Sequence, residues 1–203
     1  MRDLWGVRLM GSLTPEQALQ ALIEGNRRHR DGQHANPRRD PAFRAALAAG
    51  QAPWAAILGC SDSRVPPEII FDQGLGDLFV VRTAGHVCDA VALASLRYAV
   101  EHLGVRLLVV LGHTHCGAIK AALAHPEGAR ADPLRAALRS AVEEAKASAE
   151  DLELGAAKAH VRRTVNLLAQ AFTGIPGLLI VGAVYDLTSG EVTFLQEGFK
   201  PAV

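Results

Sequence analysis

The chain has 203 residues, and its 21 Lys and Arg side chains balance its 21 Asp and Glu side chains, so the formal net charge is zero. This balance argues against a nucleic-acid-binding protein, which carries a basic excess. Three widely spaced cysteines do not form a secreted disulfide framework. The start of the chain has no long apolar stretch, and no run reaches the roughly 20 residues of a membrane span. We therefore expect a soluble protein in a reducing compartment, the cytoplasm.

The N-terminal part of the chain is typical of a helical arm. Thr14-Pro15-Glu16-Gln17 predicts a helix start, with the threonine as N-cap, the proline in the first position and the glutamine closing a capping box. Residues 1–12, which precede this motif, resemble a loose extension. A chain of this length can form one domain with a sizeable core. We therefore predict a single domain over 1–203, with an N-terminal helical arm at 1–50 and a core that carries the site at 51–203.

Short apolar strands then alternate with helices. Strands are predicted at 54–58, 78–81, 105–111, 178–185 and 192–195, and helices at 66–71, 89–102, 118–124, from 132 onward and at 152–172. Alternating strands and helices predict an α/β fold with a mostly parallel central sheet flanked by helices. The turn Thr188-Ser-Gly190 makes the last two strands a hairpin, which adds an edge strand.

Two of the helical segments carry more specific expectations. Asp89 is the predicted N-cap of the helix at 89–102. The apolar positions of that helix are predicted to be Val91, Leu93, Leu96 and Val100. Residues 126–150 are charged and rich in alanine, and we expect them to form a solvent-facing helical surface.

Two motifs with metal-binding residue types directly follow two predicted strands. Cys60-Ser-Asp62-Ser-Arg64 follows the first strand, and His113-Thr-His-Cys116 follows the third. Neighbouring strands that end side by side would bring Cys60, His113 and Cys116 together at one edge of the sheet. Two thiolates and an imidazole suit zinc and leave a fourth tetrahedral position open. The plain alternative is that the cysteines are small buried hydrophobes.

Asp62 and Arg64 supply a charged pair next to this open position. A bidentate contact with the guanidinium would keep the Asp62 carboxylate ionised and oriented, so that it could accept a proton. The plain alternative is a helix-capping Asp62 beside a surface Arg64. His115 lies between two candidate ligands in the chain, and we expect it to point away from them.

Four motifs, in this order and spacing, resemble those of the β-class carbonic anhydrases. They are Cys60-Ser-Asp62-Ser-Arg64-Val-Pro, Arg82-Thr-Ala-Gly85, Tyr98-Ala-Val-Glu-His-Leu-Gly-Val and Gly112-His113-Thr-His-Cys116-Gly117. The resemblance covers roughly residues 14–198. It implies a four-stranded parallel core with an added edge strand, N-terminal helices that embrace a partner, and a homodimer or homotetramer.

The resemblance also implies the reaction and its metal. One zinc ion per chain would be held by Cys60, His113 and Cys116. The reaction would be reversible hydration of carbon dioxide to bicarbonate and a proton, through zinc-bound hydroxide that the Asp62–Arg64 dyad orients. The substrate would be a small molecule, with neither nucleic acid nor membrane as a partner.

The substrate pocket is also inferred from the resemblance. Its predicted residues are Gln51, Phe79, Tyr98 and Gly117. The glutamine would donate a hydrogen bond to bicarbonate, and the two aromatic rings would wall an apolar slot for carbon dioxide. Ile57 stands where a bicarbonate-regulated variant of the family has tryptophan, so we expect the variant with an open zinc position. His86 departs from the asparagine that many members carry.

Two other functions stay open at this point. Some relatives with the same metal ligands hydrolyse carbon disulfide or carbonyl sulfide. A catalytically silent, zinc-stabilised structural protein would be marked by the loss of Asp62, Arg64 or a ligand, and all of these residues are present. A dithiol redox protein would require a Cys-x-x-Cys motif, which the sequence lacks.

Overall fold

The structure is a computed structural model, and it describes residues 13–125, 132–147 and 151–195. Its strands are β1 (Ala55–Cys60), β2 (Leu78–Thr83), β3 (Leu107–His113), β4 (Leu179–Tyr185) and β5 (Val192–Phe194). They form one sheet in the order β2-β1-β3-β4-β5, in which the first four strands are parallel and β5 runs antiparallel to β4. The predicted mostly parallel sheet with an added edge strand is therefore confirmed.

Helices cover both faces of this sheet. They are α1 (Pro15–Arg30), α2 (Pro41–Ala46), α3 (Pro67–Ile70), α4 (Ala90–Glu101), α5 (Gly117–Ala124), α6 (Pro133–Lys146) and α7 (Leu152–Ala171). Side chains of α1, α5 and α6 join the core on one face, and those of α4 and α7 form the core on the other. No helix in the described ranges is both long and apolar enough to cross a membrane.

The two central strands explain why the core is divided in this way. Every residue of β1 and β3 is buried, as expected for parallel strands with helices on both faces. Because side chains alternate along a strand, Ile57 and Val109 enter one core, while Leu58 and Val110 enter the other. The ends of β1 and β3 are therefore held rigidly, and these ends carry the two metal-binding motifs.

The predicted helix starts are confirmed by their caps. Thr14 and Gln17 form the capping box that begins α1. Asp89 accepts a hydrogen bond from the Ala92 amide at the start of α4, and Asp132 does the same for α6. These caps are local in sequence, which is why the sequence alone could predict them.

Two predictions about helix faces are wrong. Val91 is 74% exposed, although Leu96 and Val100 are buried as expected, because α4 meets the sheet along a stripe that Val91 does not share. The region 126–150 is not only a solvent-facing surface, since α6 buries one side of its helix against the core. Residues 1–12, 126–131 and 148–150 lie outside the described residues.

Candidate metal centre

Three possible metal ligands meet where β1 and β3 end. Cys60 is the last residue of β1, His113 is the last residue of β3, and Cys116 directly precedes α5. One ligand atom from each residue lies within 4.8 Å of the others, and all three residues are buried. The structure thus brings together the three residues that the two motifs indicated, because β1 and β3 are paired neighbours in the sheet.

The imidazole of His113 is oriented for metal binding. Its Nδ1 lies 2.8 Å from the Thr114 carbonyl oxygen, and we assign the proton to Nδ1, which donates to that oxygen. Nε2 is buried and has no hydrogen-bond partner among the described residues. A histidine whose one nitrogen is fixed by a backbone carbonyl presents the lone pair of the other as a ligand.

Backbone amides surround the two sulfur atoms. Cys60 Sγ accepts hydrogen bonds from the amides of Gly85, at 3.3 Å, and Asp62, at 3.4 Å. The Cys116 sulfur lies at the start of α5, where the amides of Ala118 and Ile119 act to lower its pKa. Contact with the neighbouring Cys116 thiol, together with the amides of Asp62 and Gly85, lowers the pKa of Cys60 to about 4. The same contact, together with burial, raises the pKa of Cys116.

The donor set therefore fits a thiophilic divalent cation. A cation of this kind displaces protons from thiols when it binds. Two cysteine sulfurs and one imidazole nitrogen are the ligands that zinc prefers, whereas magnesium and calcium prefer oxygen. The orphaned His113 Nε2 gives an independent reason for a cation at this position, because a buried polar atom without a partner is costly.

Asp62 lies outside the ligand cluster and is paired with Arg64. The Arg64 Nε and Nη2 donate to the two Asp62 carboxylate oxygens at 2.9 and 2.7 Å, and the Arg64 amide adds a third bond at 3.0 Å. These hydrogen bonds from Arg64 hold the pKa of Asp62 well below its usual range. The carboxylate is therefore ionised and held in one orientation beside the metal ligands.

Arg82 is a supporting residue to which the sequence analysis gave no role. Its Nε donates to the Cys60 carbonyl at 2.8 Å, and its Nη2 donates to the Asp62 carbonyl. Arg82 reaches both carbonyls because it pairs with Gly59 in the β1–β2 register. The motif that begins with Arg82 was visible in the sequence, but the register that places it beside Cys60 was not.

Three of the predicted pocket residues lie away from the cluster within this chain. Phe79 pairs with Ala56, whereas Thr83 pairs with Cys60, so Phe79 lies four residues, or about 13 Å along the strand, from the level of Cys60. The ring of Tyr98 packs on Phe79, with 6.3 Å between centroids. Gln51 is exposed and precedes β1.

Two residues of the second motif complete the site. Gly117 begins α5 directly beside Cys116, and no atom lies within 4 Å of a Cβ built on it. Its φ is not left-handed, and among the described residues its place is open space beside the cluster. His115 is outside the cluster and approaches Glu153, with Nδ1 3.5 Å from Oε1. The prediction that His115 points elsewhere is confirmed.

Comparison with known proteins places this geometry in a family. A sequence profile described as carbonic anhydrase matches residues 55–192. Carbonic anhydrase 2 of Mycobacterium tuberculosis is 43% identical over 197 residues, covering 90% of this chain and 93% of that protein. The carbonic anhydrase of Pseudomonas aeruginosa is 36% identical over 183 residues, covering 80% of this chain and 81% of that protein.

Solved structures agree with these sequence matches. The β-carbonic anhydrase CafA of Aspergillus fumigatus superposes with a TM-score of 0.68 at 31% identity, covering 77% of this chain and 81% of that chain. A tetrameric β-carbonic anhydrase of Sordaria macrospora superposes with a TM-score of 0.67 at 28% identity, covering 90% of this chain and 98% of that chain. The chain therefore belongs to the β-carbonic anhydrase family of enzymes.

Proposed function

We propose that this chain catalyses the reversible hydration of carbon dioxide to bicarbonate and a proton, with one zinc ion held by Cys60, His113 and Cys116. The observation that carries the proposal is the buried set of two sulfurs and one unpartnered imidazole nitrogen within 4.8 Å of one another. A zinc ion bound there would supply a water whose pKa is lowered toward neutrality, which is the chemistry that hydration requires.

All three cysteines of the chain are free, which supports a reducing compartment such as the cytoplasm.

In this proposal Asp62 is the proton acceptor and Arg64 positions it. Oδ1 of Asp62 accepts two hydrogen bonds from Arg64, while Oδ2 accepts one among the described residues. Oδ2 therefore keeps a lone pair that can accept a hydrogen bond from an attacking water and aim that water at carbon dioxide. The pairing with Arg64 keeps the carboxylate ionised and away from the metal position.

The variant Asp62→Asn tests this role. Asparagine keeps the shape of the side chain but cannot take up the proton, so kcat/KM for carbon dioxide hydration is expected to fall by about 100-fold or more. Stopped-flow hydration at mildly alkaline pH measures the rate, and zinc analysis should still give one ion per chain. Asp31→Asn, on the surface at the end of α1, is the control and should hydrate at the native rate.

Two results would contradict the proposal. Native activity in Asp62→Asn would remove Asp62 from the mechanism. A native chain that binds zinc but does not hydrate carbon dioxide would refute the proposed reaction, and release of hydrogen sulfide from carbon disulfide would then distinguish a sulfur-substrate hydrolase from a silent structural protein.

We further propose that the pocket is completed by a second copy of the chain, in a homodimer or homotetramer. Phe79, Tyr98 and the exposed Val91 form a surface, here called the β2–α4 patch, at the edge of the sheet. Among the described residues, β2 pairs only with β1, and an unpaired strand edge readily accepts another chain. The tetrameric Sordaria relative supports such an assembly. The partner copy would then bring its Gln51, Phe79 and Tyr98 to the cluster.

The remaining assignments follow from this arrangement. Gly117 would leave room for substrate beside Cys116, since its surroundings are open. Residues 1–50 would form the arm that embraces the partner, and residues 51–203 the core that carries the metal.

A further inference from the structure

The segment that follows β2 has an unusual backbone. Gly85 and His86 both have left-handed φ angles, of 61° and 47°, in the short 3₁₀ helix Ala84–His86. Glycine adopts this conformation freely, but histidine does so only under strain that the surrounding packing must hold. Strained residues of this kind cluster at functional sites, so the packing around the turn is informative.

Two packed imidazole rings, with their planes tilted by 41° to each other, hold the turn. The ring of His86 is 1% exposed and packs on the ring of His160, which comes from α7, with 4.5 Å between centroids. The His160 ring also contacts the backbone of Gly85. On the β3 side, Cε1 of His86 lies only 3.3 Å from the position that a Cβ on Gly112 would take. The turn is therefore packed between α7 on one side and β3 on the other.

This turn directs a backbone amide at a candidate metal ligand. The Gly85 amide nitrogen lies 3.3 Å from Cys60 Sγ and donates to it. An N–H group that points at a ligand sulfur draws electron density from the sulfur and fixes its position, as the outer-shell partners of metal sites do. A rotation of the peptide at Gly85 would remove this donor.

The two buried imidazoles are better explained by a role in holding the turn in place than by a contribution to the stability of the fold. Burial, with the charge of Arg163, lowers the pKa of His160 to about 4, and burial, with His160 and His113 nearby, lowers the pKa of His86 well below its usual range. Both rings are therefore neutral at physiological pH. Among the described residues, neither nitrogen of His86 nor Nε2 of His160 has a hydrogen-bond partner. Two apolar side chains would avoid that cost.

We propose that His86 and His160 are positioning residues for the Cys60 sulfur: the His160 ring packs on His86 and contacts the Gly85 backbone, which clamps the left-handed turn and keeps the Gly85 amide directed at that sulfur. The consequence for the metal rests on the proposed function. The effect of the two rings on the Gly85 amide can be measured without any metal. The positioning role and the proposed function can therefore be contradicted separately.

Amide hydrogen exchange of Gly85 tests the clamp in His160→Phe. Phenylalanine keeps a flat ring against His86 but removes the contact with the Gly85 backbone, so exchange at Gly85 is expected to be at least about tenfold faster than in the native chain. Val165→Ala, a buried site one turn further along α7, is the control for a general loss of packing. It should leave the protection of Gly85, relative to its neighbours, unchanged. Equal protection in the native chain and in His160→Phe overturns the inference.

The cobalt-substituted protein tests the effect on the sulfur. Loss of the N–H donor raises the energy of the sulfur lone pairs, so the sulfur-to-cobalt absorption band of His160→Phe is expected to move to longer wavelength. The band of Val165→Ala should not move. An unmoved band in a His160→Phe protein that has bound cobalt overturns the inference. If the native chain binds no cobalt, the proposed function fails, and hydrogen exchange alone decides on the clamp.

Discussion

At the scale of single residues, the metal cluster depends on the backbone that carries it. Cys60 and Asp62 lie on a short segment after β1, and Arg82 holds the carbonyls of both. One guanidinium thus fixes the residue proposed as a ligand and the residue proposed as a proton acceptor. Arginine suits this task because its rigid fork donates to two acceptors at once.

Arg82→Met should therefore weaken metal binding. Methionine keeps an unbranched side chain but donates no hydrogen bonds, so the segment at Cys60 becomes less fixed, and zinc affinity is expected to fall by about 10- to 100-fold. Competition with a chromophoric chelator measures the affinity. Arg97→Met on α4, which removes a surface pair with Glu101, should bind zinc like the native chain. If Arg82→Met bound zinc with the native affinity, the segment at Cys60 would not need the hydrogen bonds from Arg82.

The sequence predicted the ligands at this scale but not their support. Cys60 and His113 could be predicted because each ends an apolar strand, and parallel strands end at the same edge of a sheet. Arg82 and Phe79 both lie on β2. The register of β2 against β1 places Arg82 beside Gly59, next to Cys60, and Phe79 beside Ala56. That register is set by packing over the whole sheet, so the sequence could not show that Arg82 reaches the Cys60 segment or that Phe79 lies four residues from the level of Cys60.

At the scale of elements, a buried carboxylate joins α1 to the segment after α3. The side chain of Asp72 is fully buried and accepts Arg28 Nε at 2.6 Å. It also accepts the amides of Ala35, at 2.9 Å, and Asn36, at 3.0 Å. The loop that follows α1 is therefore fastened to the core by one side chain. Without it, three donors would lose their acceptor.

Asp72→Ala should consequently destabilise the fold. Breaking a buried ion pair leaves the partner charge and the amides unpaired, so the free energy of unfolding is expected to fall by about 3 kcal/mol. Asp31→Ala is the matched control, because Asp31 pairs with Arg30 at the surface near the same helix end. It should cost less than about 1 kcal/mol. Urea denaturation measures both changes, and similar losses in the two variants would contradict the fastening role.

The contribution of Asp72 should also depend on pH. Burial acts to raise the pKa of Asp72, but the hydrogen bonds from Arg28 and the two amides outweigh it, and the pKa is lowered. A carboxylate with a lowered pKa stabilises the folded chain above its unfolded pKa of about 3.9, and this stability is lost as the pH falls through the folded pKa. The difference in unfolding free energy between the native chain and Asp72→Ala should thus be constant near neutrality and shrink below about pH 4. A constant difference in acid would contradict this assignment.

The helices show what local sequence could and could not predict. The starts of α1, α4 and α6 were predicted because a capping side chain bonds an amide two or three residues away. The buried side of α4 was predicted less well, since Val91 fits an apolar pattern yet is exposed. Which side of a helix faces the sheet is decided by tertiary packing, and an apolar residue off that side suggests a second contact.

At the scale of the whole molecule, the β2–α4 patch is where such a contact is proposed. Val91 is 74% exposed and Tyr98 is 47% exposed, and they lie seven residues, or two helical turns, apart on α4. Exposed apolar groups beside an unpaired strand edge are typical of a surface that another chain covers. If a second copy covers the patch, assembly and activity are linked.

Val91→Glu should separate the copies and reduce activity together. A carboxylate buried in the proposed contact would lose its hydration without gaining a partner, so light scattering should give a mass near the 21.5 kDa of one chain instead of a multiple. Hydration should fall by at least about tenfold, because the aromatic wall would be absent from each site. Zinc content should stay at one ion per chain, since all three ligands come from one chain.

Leu167→Glu provides the matched control for this variant. Leu167 is 43% exposed on α7, outside the β2–α4 patch, and its variant should keep the native mass and rate. A Val91→Glu protein that stays assembled would show that another surface joins the copies. A fully active single chain would show that Phe79 and Tyr98 are not needed at the cluster. Val91 lies on α4, away from the ligands in the sequence, so a joint loss of assembly and activity with one zinc ion still bound per chain would support the partner's contribution to the pocket.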